Sequence, residues 1–357
     1  MQKLILAINP GSTSTKIAVY RGATRIFIKS ISHKADELKV YSSIADQFEF
    51  RMKLIMDELI LAQIEIKEIA AVMGRGGLVK PIPSGVYEVN EPMIADLKVG
   101  VMGEHASNLG GLIAHEIAKE LPEANAYIVD PVVVDEFDDL ARMSGHPAFE
   151  RKSIFHALNQ KAIARNHAKT HHLEYNELNL IVAHMGGGIS VGAHKKGRVI
   201  DVNQALDGDG PFSPERSGSL PIGSIVDACF SGEYQKSEIK KMIVGNGGYM
   251  AYLNTNDAYA VEMAAKNGDK KAELVQEAMA YQVAKEIGAM STVLGGDVNA
   301  ILLTGGIAYG KPFIDLLTNR IQHIARIFVY PGEDEMKALA MNGYRVLIGE
   351  AEVLDYF

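Results

Sequence analysis

Residues Leu4 to Tyr20 read LILAINPGSTSTKIAVY, a pattern of two apolar runs on either side of a small-residue segment. The apolar runs have the length of strands rather than of helices. The segment between them, residues 9–14, predicts the turn of a β-hairpin, with Gly11 at a position that suits a positive φ. Such a turn presents backbone N–H groups and hydroxyls, which together suit an anion and above all a phosphate. An ordinary tight hairpin accounts for the same residues equally well.

Two later stretches follow the same plan. Leu178 to Val191 reads LNLIVAHMGGGISV, with His184 at the place that Asn9 occupies in the first stretch. Ile301 to Gly310 reads ILLTGGIAYG and again ends an apolar run in a pair of glycines. The first two stretches lie too far apart for a solenoid repeat, and their separation suits a domain duplication. We therefore predict two related domains that face one nucleotide.

Composition favours an ordinary globular protein of more than one domain. The chain has 357 residues, of which 47% are hydrophobic and 22% charged, and this length favours two domains over one. The net charge of −8 and the sequence pI near 5.8 argue against a general nucleic-acid surface. A phosphorylated small molecule stays compatible with this charge, because local donors matter more than the net charge.

Cysteine content and hydropathy bear on the cellular location of the protein. Cys229 is the one cysteine of the sequence, so no intrachain disulfide can form, which fits a reducing environment. The apolar run Leu4–Ile8 is too short for a signal-peptide core. No run approaches the roughly 18 apolar residues of a membrane span. We expect a soluble, cytoplasmic protein with no membrane or nucleic-acid partner.

Charged side chains follow two predicted strands. The run 127–134 has the pattern of a strand, and Asp135 follows it at the place where an α/β sheet usually presents its chemistry. A solvated acidic loop is the alternative. The run 69–73 predicts a short buried strand, and Arg75 follows it among three glycines. Arg75 is therefore either a solvated turn arginine or an anion contact.

Two further candidates come from the second half of the chain. The run 149–170 has a helical pattern and carries His156. Residues 207–218 are too irregular for a strand or a helix and contain one arginine, Arg216. An irregular loop with a single arginine beside a predicted cleft is a plausible site.

Five stretches, in this order along the chain, resemble the acetate kinase family and within it most closely the butyrate kinases: LILAINPGSTSTKIAVY, AHMGGGISV, SPERSGSLPIG, ILLTGGIAYG and VYPGEDEM. The resemblance implies the α/β fold of the actin, Hsp70 and sugar-kinase superfamily. This fold has two ribonuclease-H-like (actin-like ATPase) domains with a nucleotide cleft between them. We place the N-terminal domain at 1–152 and the C-terminal, nucleotide-binding domain at 153–337, with a C-terminal helix of about 338–357 packing back onto the first domain.

The resemblance also implies which residues bind ATP or ADP. The residues that match its nucleotide motifs are Asn9, Gly11, Ser12, Ser14 and Lys16 in the first hairpin, His184, Gly186, Gly187 and Gly188 in the second, and Gly305 and Gly306 in the adenosine motif. Acetate kinases have asparagine at the place of Gly187, so one side-chain contact to a phosphate is missing here.

The resemblance implies that three cationic or polar side chains contact the transferred phosphoryl group. Arg216 matches the arginine that clamps this group, and His156 matches a histidine that serves the same charge. Arg75 matches the other active-site arginine, although the turn around it is shorter than in acetate kinases.

The resemblance implies a Mg²⁺ ion as well. Asp135 matches a carboxylate near the metal. An acid after Pro331-Gly332 helps to hold the ion, and the spacing leaves Glu333, Asp334 and Glu335 open, with Glu335 favoured.

The acceptor distinguishes the kinase classes. A fatty-acid carboxylate has a pKa of about 4–5, so it is already ionised at neutral pH and needs no general base. It does need its charge screened from the incoming phosphate, which the candidate arginines suit. We predict a reversible, direct in-line transfer from ATP to butanoate or a branched-chain relative, giving an acyl phosphate, in a homodimer or larger homo-oligomer.

Three alternatives stay open at this point. Acetate or propionate is the acceptor in the first. The second is a hydroxyl (sugar-type) kinase of the same superfamily, in which Asp135 acts as the base. The third is an actin-like filament or chaperone ATPase.

Overall fold

The computed structural model describes residues 3–357 and divides into two compact units. The first unit holds the described residues up to Val134 together with Asp334–Phe357, and the second holds Asp135–Glu333. The domain limits expected from the sequence, 1–152 and 153–337, differ from these divisions and stay a prediction.

The strands belong to two sheets, one in each unit. In chain order the strands are β1 (Leu4–Pro10), β2 (Ser14–Arg21), β3 (Thr24–Ser32), β4 (Ile69–Arg75), β5 (Val86–Glu88), β6 (Asn125–Val129), β7 (Asn179–Met185), β8 (Ile189–Lys195), β9 (Arg198–Val202), β10 (Ala300–Gly305), β11 (Ile327–Pro331) and β12 (Val353–Leu354). The sheet of the first unit has the order β12-β5-β6-β4-β1-β2-β3, and that of the second has the order β11-β10-β7-β8-β9.

In the described part of the chain, every α-helix lies after β3 and before β12. In chain order they are α1 (Ala35–Leu38), α2 (Phe48–Leu61), α3 (Glu91–Val99), α4 (Asn108–Lys119), α5 (Asp139–Arg142), α6 (Ala157–Thr170), α7 (Ile222–Phe230), α8 (Lys236–Ile243), α9 (Gly248–Leu253), α10 (Ala258–Lys266), α11 (Lys270–Val293), α12 (Lys311–Ile321) and α13 (Glu335–Leu347). Short 3₁₀ turns cover Ala45–Gln47, Ile66–Glu68, Tyr175–Glu177 and Gly306–Tyr309.

In the first unit, the central strands are buried on both faces. β1 pairs antiparallel with β2 and parallel with β4, so its apolar run can face a helix on either side of the sheet. Helices α4 and α13 both pack against β1 and β4. A Cβ on Gly74 of β4 would overlap the backbone of Gly110 in α4, so these two glycines let the helix approach the sheet closely.

In the second unit, β7 pairs antiparallel with β8 and parallel with β10. Helix α11 covers this sheet with an apolar face at helical spacing. The buried members of that face include Val275, Met279, Val283, Ile287 and Met290. Both predicted hairpins, β1–β2 and β7–β8, are confirmed.

The strand expected over 127–134 is wrong in its C-terminal half, because β6 ends at Val129. Asp130 follows with φ of 40°, a left-handed conformation that interrupts the strand. Its carboxylate accepts hydrogen bonds from Ser84 Oγ at 2.6 Å and from the N–H of Gly85 at 3.0 Å. Asp130, and not Asp135, therefore stands at the end of the strand.

The helix expected over 149–170 begins only at Ala157. The preceding segment is tied to its surroundings by Arg151. The guanidinium of Arg151 donates to the carbonyl of Ala141 at 2.7 Å and to Asp201 Oδ1 at 2.9 Å. These contacts outside the segment override its local helical pattern, so His156 lies at the N-cap of α6 and not within a helix.

Within residues 3–357, no helix is both long enough and apolar enough to cross a membrane.

Candidate functional site

The first unit gathers three predicted residues at one end of its sheet. β1 and β4 run parallel, and their C-terminal ends carry Asn9 and Arg75. Helix α13 begins nearby with Glu335. Asn9 Nδ2 donates to Glu335 Oε2, and Arg75 Nη1 donates to Glu335 Oε1. We call these three residues, together with the turn Gly11–Ser14, the first-turn cluster.

The turn of this cluster differs in one respect from the expectation. Gly11 is not among the residues with positive φ, so that part of the prediction is wrong. The turn closes instead through the N–H of Gly11, which donates to the carbonyl of Ser14 at 2.7 Å. Lys16 lies in β2 opposite Asn9, and it is exposed.

The three acids after Pro331-Gly332 have different partners. Glu335 contacts Asn9 and Arg75, as described above. Asp334 caps α13, because its carboxylate accepts from the N–H of Lys337 at 2.9 Å. Glu333 Oε2 lies 3.2 Å from His184 Nε2 in the second unit. Of the three, Glu335 is therefore the acid that lies with the first turn.

The second unit gathers His184, Arg216 and His156 around the glycine turn Gly186–Gly188, and we call this group the second-turn cluster. His184, at the end of β7, is buried, with 1% of its surface exposed. Its ring stacks on that of His156 with a centroid distance of 4.2 Å. The carboxylate of Glu333 lies beside Nε2 of His184 and so helps to orient the imidazole ring.

Arg216 lies directly on the glycine turn. Its Nη1 donates to the carbonyl of Ala205 at 2.6 Å. A Cβ on Gly188 would overlap the guanidinium, so glycine is required for this approach. Burial lowers the pKa of Arg216 from its usual value, and Glu215 acts against that shift. Among the described residues, the buried Nε of Arg216 has no hydrogen-bond partner.

A chain of hydrogen bonds that sequence reasoning missed orients His156. His156 Nδ1 lies 2.8 Å from Ser190 Oγ. Gln160 Nε2 donates to that oxygen at 2.8 Å and to the carbonyl of Ser190 at 3.0 Å. A carbonyl only accepts, so the Gln160 amide is fixed with its Oε1 facing His194 Nε2, 2.9 Å away.

His194, at the far end of this chain, is fully buried. Burial holds its pKa well below the usual value, with Lys161 and Arg165 acting in the same direction. The neutral ring therefore donates from Nε2 to Gln160. No local sequence pattern distinguishes this histidine from an ordinary strand residue, so the chain of contacts could be found only in the fold.

The third glycine turn follows β10. Gly305 has φ of 93°, and a Cβ there would overlap the carbonyl of Met185. Its N–H and carbonyl pair with those of Gly332 at 3.1 and 2.9 Å. Gly306 has open space where a Cβ would be. Gly305 is therefore required by the close approach of Met185, and the role of Gly305 and Gly306 in binding adenosine stays a prediction.

In the described part of the chain, no hydrogen bond or ion pair joins the side chain of Asp135 to another candidate residue. Both of its carboxylate oxygens accept from Arg142, at 2.8 and 2.9 Å. The neighbouring Glu136 forms a buried ion pair with Lys161 at 2.6 Å. Asp135 and Glu136 are thus paired with cations rather than solvated. The role of Asp135 near a metal stays a prediction.

Comparisons with known proteins agree with one another. The Acetokinase family model matches residues 148–351. Butyrate kinase 1 of Clostridium acetobutylicum is 57% identical over 352 residues, which cover 99% of each chain. Butyrate kinase 2 of the same organism is 56% identical over 356 residues and 100% of each chain. The crystal structure of Porphyromonas gingivalis acetate kinase shares the fold with a TM-score of 0.78 at 19% identity, over 97% of this chain and 100% of that one.

The family model matches more than half of the chain, and two butyrate kinases are 57% and 56% identical to it over almost their whole length. The chain therefore belongs to the acetokinase family.

Proposed function

We propose that the chain transfers the terminal phosphoryl group of ATP to the carboxylate of butanoate or a branched-chain relative. The products are ADP and an acyl phosphate, and the reaction is reversible. The full-length identity to two butyrate kinases supports this choice over acetate or propionate. A phosphotransferase with a carboxyl acceptor is what the family relationship leads one to expect.

Within the structure, the pairing of Asp135 is the observation that favours a carboxylate acceptor over a hydroxyl. A hydroxyl kinase needs a carboxylate to accept the hydroxyl proton. Asp135 is the residue that the sequence offered for that task, and Arg142 occupies both of its oxygens. A fatty-acid acceptor is already ionised at neutral pH and needs no base. The pairing of Asp135 with Arg142 therefore does not hinder transfer to such an acceptor.

The chain's own residues supply donors for the charge of the transferred group. Charge spreads over the equatorial oxygens of the phosphoryl group in the transition state. Arg216, held on the glycine turn, and His156, oriented through Ser190, would donate to those oxygens. Arg75 would do the same from the first-turn cluster. Because Arg216 and His156 are each held by contacts within the second unit, these two donors need little reorganisation at the moment of transfer.

A magnesium ion fits the first-turn cluster. Mg²⁺ is usually held by one or two carboxylates together with substrate phosphates and water. Glu335 and the side-chain oxygen of Asn9 are oxygen ligands of this kind, and the Glu335 side chain is 18% exposed. When bound, the ion would neutralise charge on the ATP phosphates. Glu335 would hold it while also orienting Arg75.

The acceptor can be identified with hydroxylamine trapping of the acyl phosphate in the presence of ATP and Mg²⁺. We expect the highest kcat/KM with four- or five-carbon acids. Acetate should be slower by at least about 10-fold, since one methylene in an apolar pocket typically changes selectivity by 10- to 200-fold. ADP release with glucose or glycerol as acceptor is the control. ADP formation with those alcohols, and no hydroxamate with any C2 to C5 acid, would contradict the proposal.

We also propose that the chain forms a homodimer or larger homo-oligomer. Helix α7 supports this, because its apolar residues Ile222, Val226 and Phe230 recur every fourth position and are 80%, 48% and 85% exposed. Such a stripe is typical of a surface that a second copy covers. Light scattering should give at least twice the chain mass of 38.8 kDa. Phe230→Glu should lower that mass, and a monomeric wild-type protein would contradict the proposal. The expected cytoplasmic location stays a prediction.

A further inference from the structure

Arg51 is a buried cation that the proposed chemistry has not used. It lies in α2, and none of its surface is exposed. Ile55 and Leu59, one and two turns later on the same helix face, are buried with it. That spacing is the signal that sequence reasoning missed, because an arginine aligned with apolar residues points to the interior rather than to solvent.

The guanidinium of Arg51 contacts the first turn from behind. Nη1 donates to the carbonyl of Gly11 at 2.8 Å and to that of Ser14 at 3.2 Å. Nη2 donates to the carbonyl of Ser12 at 3.2 Å. Gln47 Oε1 accepts from Nε at 3.1 Å and from Nη2 at 2.8 Å, which fixes the plane of the guanidinium. The turn is therefore attached to α2 through one side chain.

These contacts account for the direction of the peptide groups in the turn. The carbonyl of Thr13, the one turn carbonyl that Arg51 does not contact, accepts from the N–H of His33 at 2.9 Å. All the carbonyls of Gly11–Ser14 are thus bound on the protein side. Among residues 3–357, no acceptor takes the N–H of Ser12 or Thr13. Consecutive free N–H groups of this kind make an anion-binding concavity.

The charge of Arg51 is not balanced by a carboxylate. In the described part of the chain, no aspartate or glutamate forms an ion pair with it, although a buried arginine is usually paired. Its donors bind only neutral oxygens. The guanidinium lies on the carbonyl side of the turn. Its positive charge favours the binding of an anion on the opposite side, where the N–H groups are.

We propose that Arg51 is a positioning residue for the nucleotide phosphates. It holds the carbonyls of the first turn inward, so that the N–H groups of Ser12 and Thr13 face the anion, and it adds an unpaired positive charge behind them. This inference rests on the proposed function, because it takes the first turn as the place of an ATP or ADP phosphate. Without Arg51, the peptide groups are free to rotate and present carbonyl oxygens to the phosphate.

The test compares Arg51→Met and Arg51→Lys with a matched control on the same helix, Lys53→Met, whose side chain is exposed. We expect Arg51→Met to raise the KM for ATP and the Kd for ADP by at least about 10-fold, while the KM for the carboxylate stays within twofold. Lysine keeps the charge but loses the planar fork, so Arg51→Lys should fall between the wild type and Arg51→Met. Guanidinium ion at low millimolar concentration should partly restore ADP binding to Arg51→Ala.

Calorimetry with ADP separates this inference from the proposed function, because it needs no acyl acceptor. If the wild type binds ADP but phosphorylates no acid, the proposed function fails and the comparison of Kd values still stands. An unchanged Kd in Arg51→Met would overturn the inference. So would a lower melting temperature with both KM values and the ADP Kd unchanged, because that is the signature of a merely structural role.

Arg51→Met is at risk of not folding, since the native turn carbonyls would be left buried. Gln47→Leu is the second variant for that case. It leaves Arg51 in place and removes the acceptor that fixes its plane, so a rise of at least about threefold in the Kd for ADP is expected. A wild-type Kd in this variant, when Arg51→Met does not fold, would also overturn the inference.

Discussion

Arg216→Ala is expected to lower kcat by about two to three orders of magnitude, with a much smaller change in the KM for butanoate. Removal of one positioned donor to a transition-state anion typically costs 10²–10³ in kcat. Arg216 has the features of such a donor, because it lies on the glycine turn and its Nε is buried without a partner among the described residues. The measurement is steady-state hydroxamate formation at saturating ATP.

Two further variants test whether position or charge matters. Arg216→Lys keeps the charge but loses the planar guanidinium, and we expect at least a 10-fold loss of kcat. Gly188→Ala leaves Arg216 intact and places a Cβ where its guanidinium lies, so it should displace the arginine and lower kcat as well. Arg320→Ala is the control, since Arg320 is a surface residue paired with Glu277, and its kcat should stay within twofold. A kcat within threefold of the wild type in Arg216→Ala would reduce Arg216 to a structural residue.

The second large effect is expected at Glu335. Glu335→Gln removes a negative charge that both Asn9 and Arg75 contact. If this carboxylate also holds Mg²⁺, the Mg²⁺ concentration that gives half-maximal rate should rise by at least about 10- to 100-fold, the range seen when groups around a metal site are replaced. A fall in kcat should accompany it, because Arg75 loses the anion that orients it. The measurement is a Mg²⁺ titration at fixed ATP.

The neighbouring acids provide matched controls for Glu335. Asp334→Asn should leave the Mg²⁺ dependence unchanged and cost at most about 1 kcal/mol of stability, since this side chain caps a helix. Glu333→Gln removes the carboxylate beside His184, so its effect should fall on kcat and not on the Mg²⁺ requirement. A Mg²⁺ dependence that shifts in Glu333→Gln or Asp334→Asn, and not in Glu335→Gln, would show that the wrong acid was chosen.

Much of the fold was predictable because its signals are local. A strand of alternating or continuous apolar residues, a glycine turn and a second strand define a hairpin within about 20 residues. The face of α11 was predictable for the same reason, because its period of 3.6 residues is visible in the sequence. The candidate residues Asn9, Arg75 and Glu335 were each suggested separately, and the fold brings these three together. Their roles in catalysis stay predictions.

The errors arose where a distant contact competes with local preference. The run 149–170 has a helical pattern throughout, yet the hydrogen bonds of Arg151 to Ala141 and Asp201 keep its first part out of the helix. Asp135 followed an apolar run, but the strand ends earlier, at the left-handed Asp130. Local propensities amount to fractions of a kcal/mol per residue, and a few buried hydrogen bonds exceed them.

The sequence by itself determined the hairpins, the glycine turns and the family. Each of these can be recognised from neighbouring residues or from the order of motifs along the chain. Tertiary structure alone decided which of three adjacent acids joins the first turn, which arginine neutralises Asp135, and that Arg51 lies behind the turn it supports. The physical reason is the same in each case. A charged side chain is placed by the partner that offsets its loss of water, and the fold decides which partner comes near enough to do so.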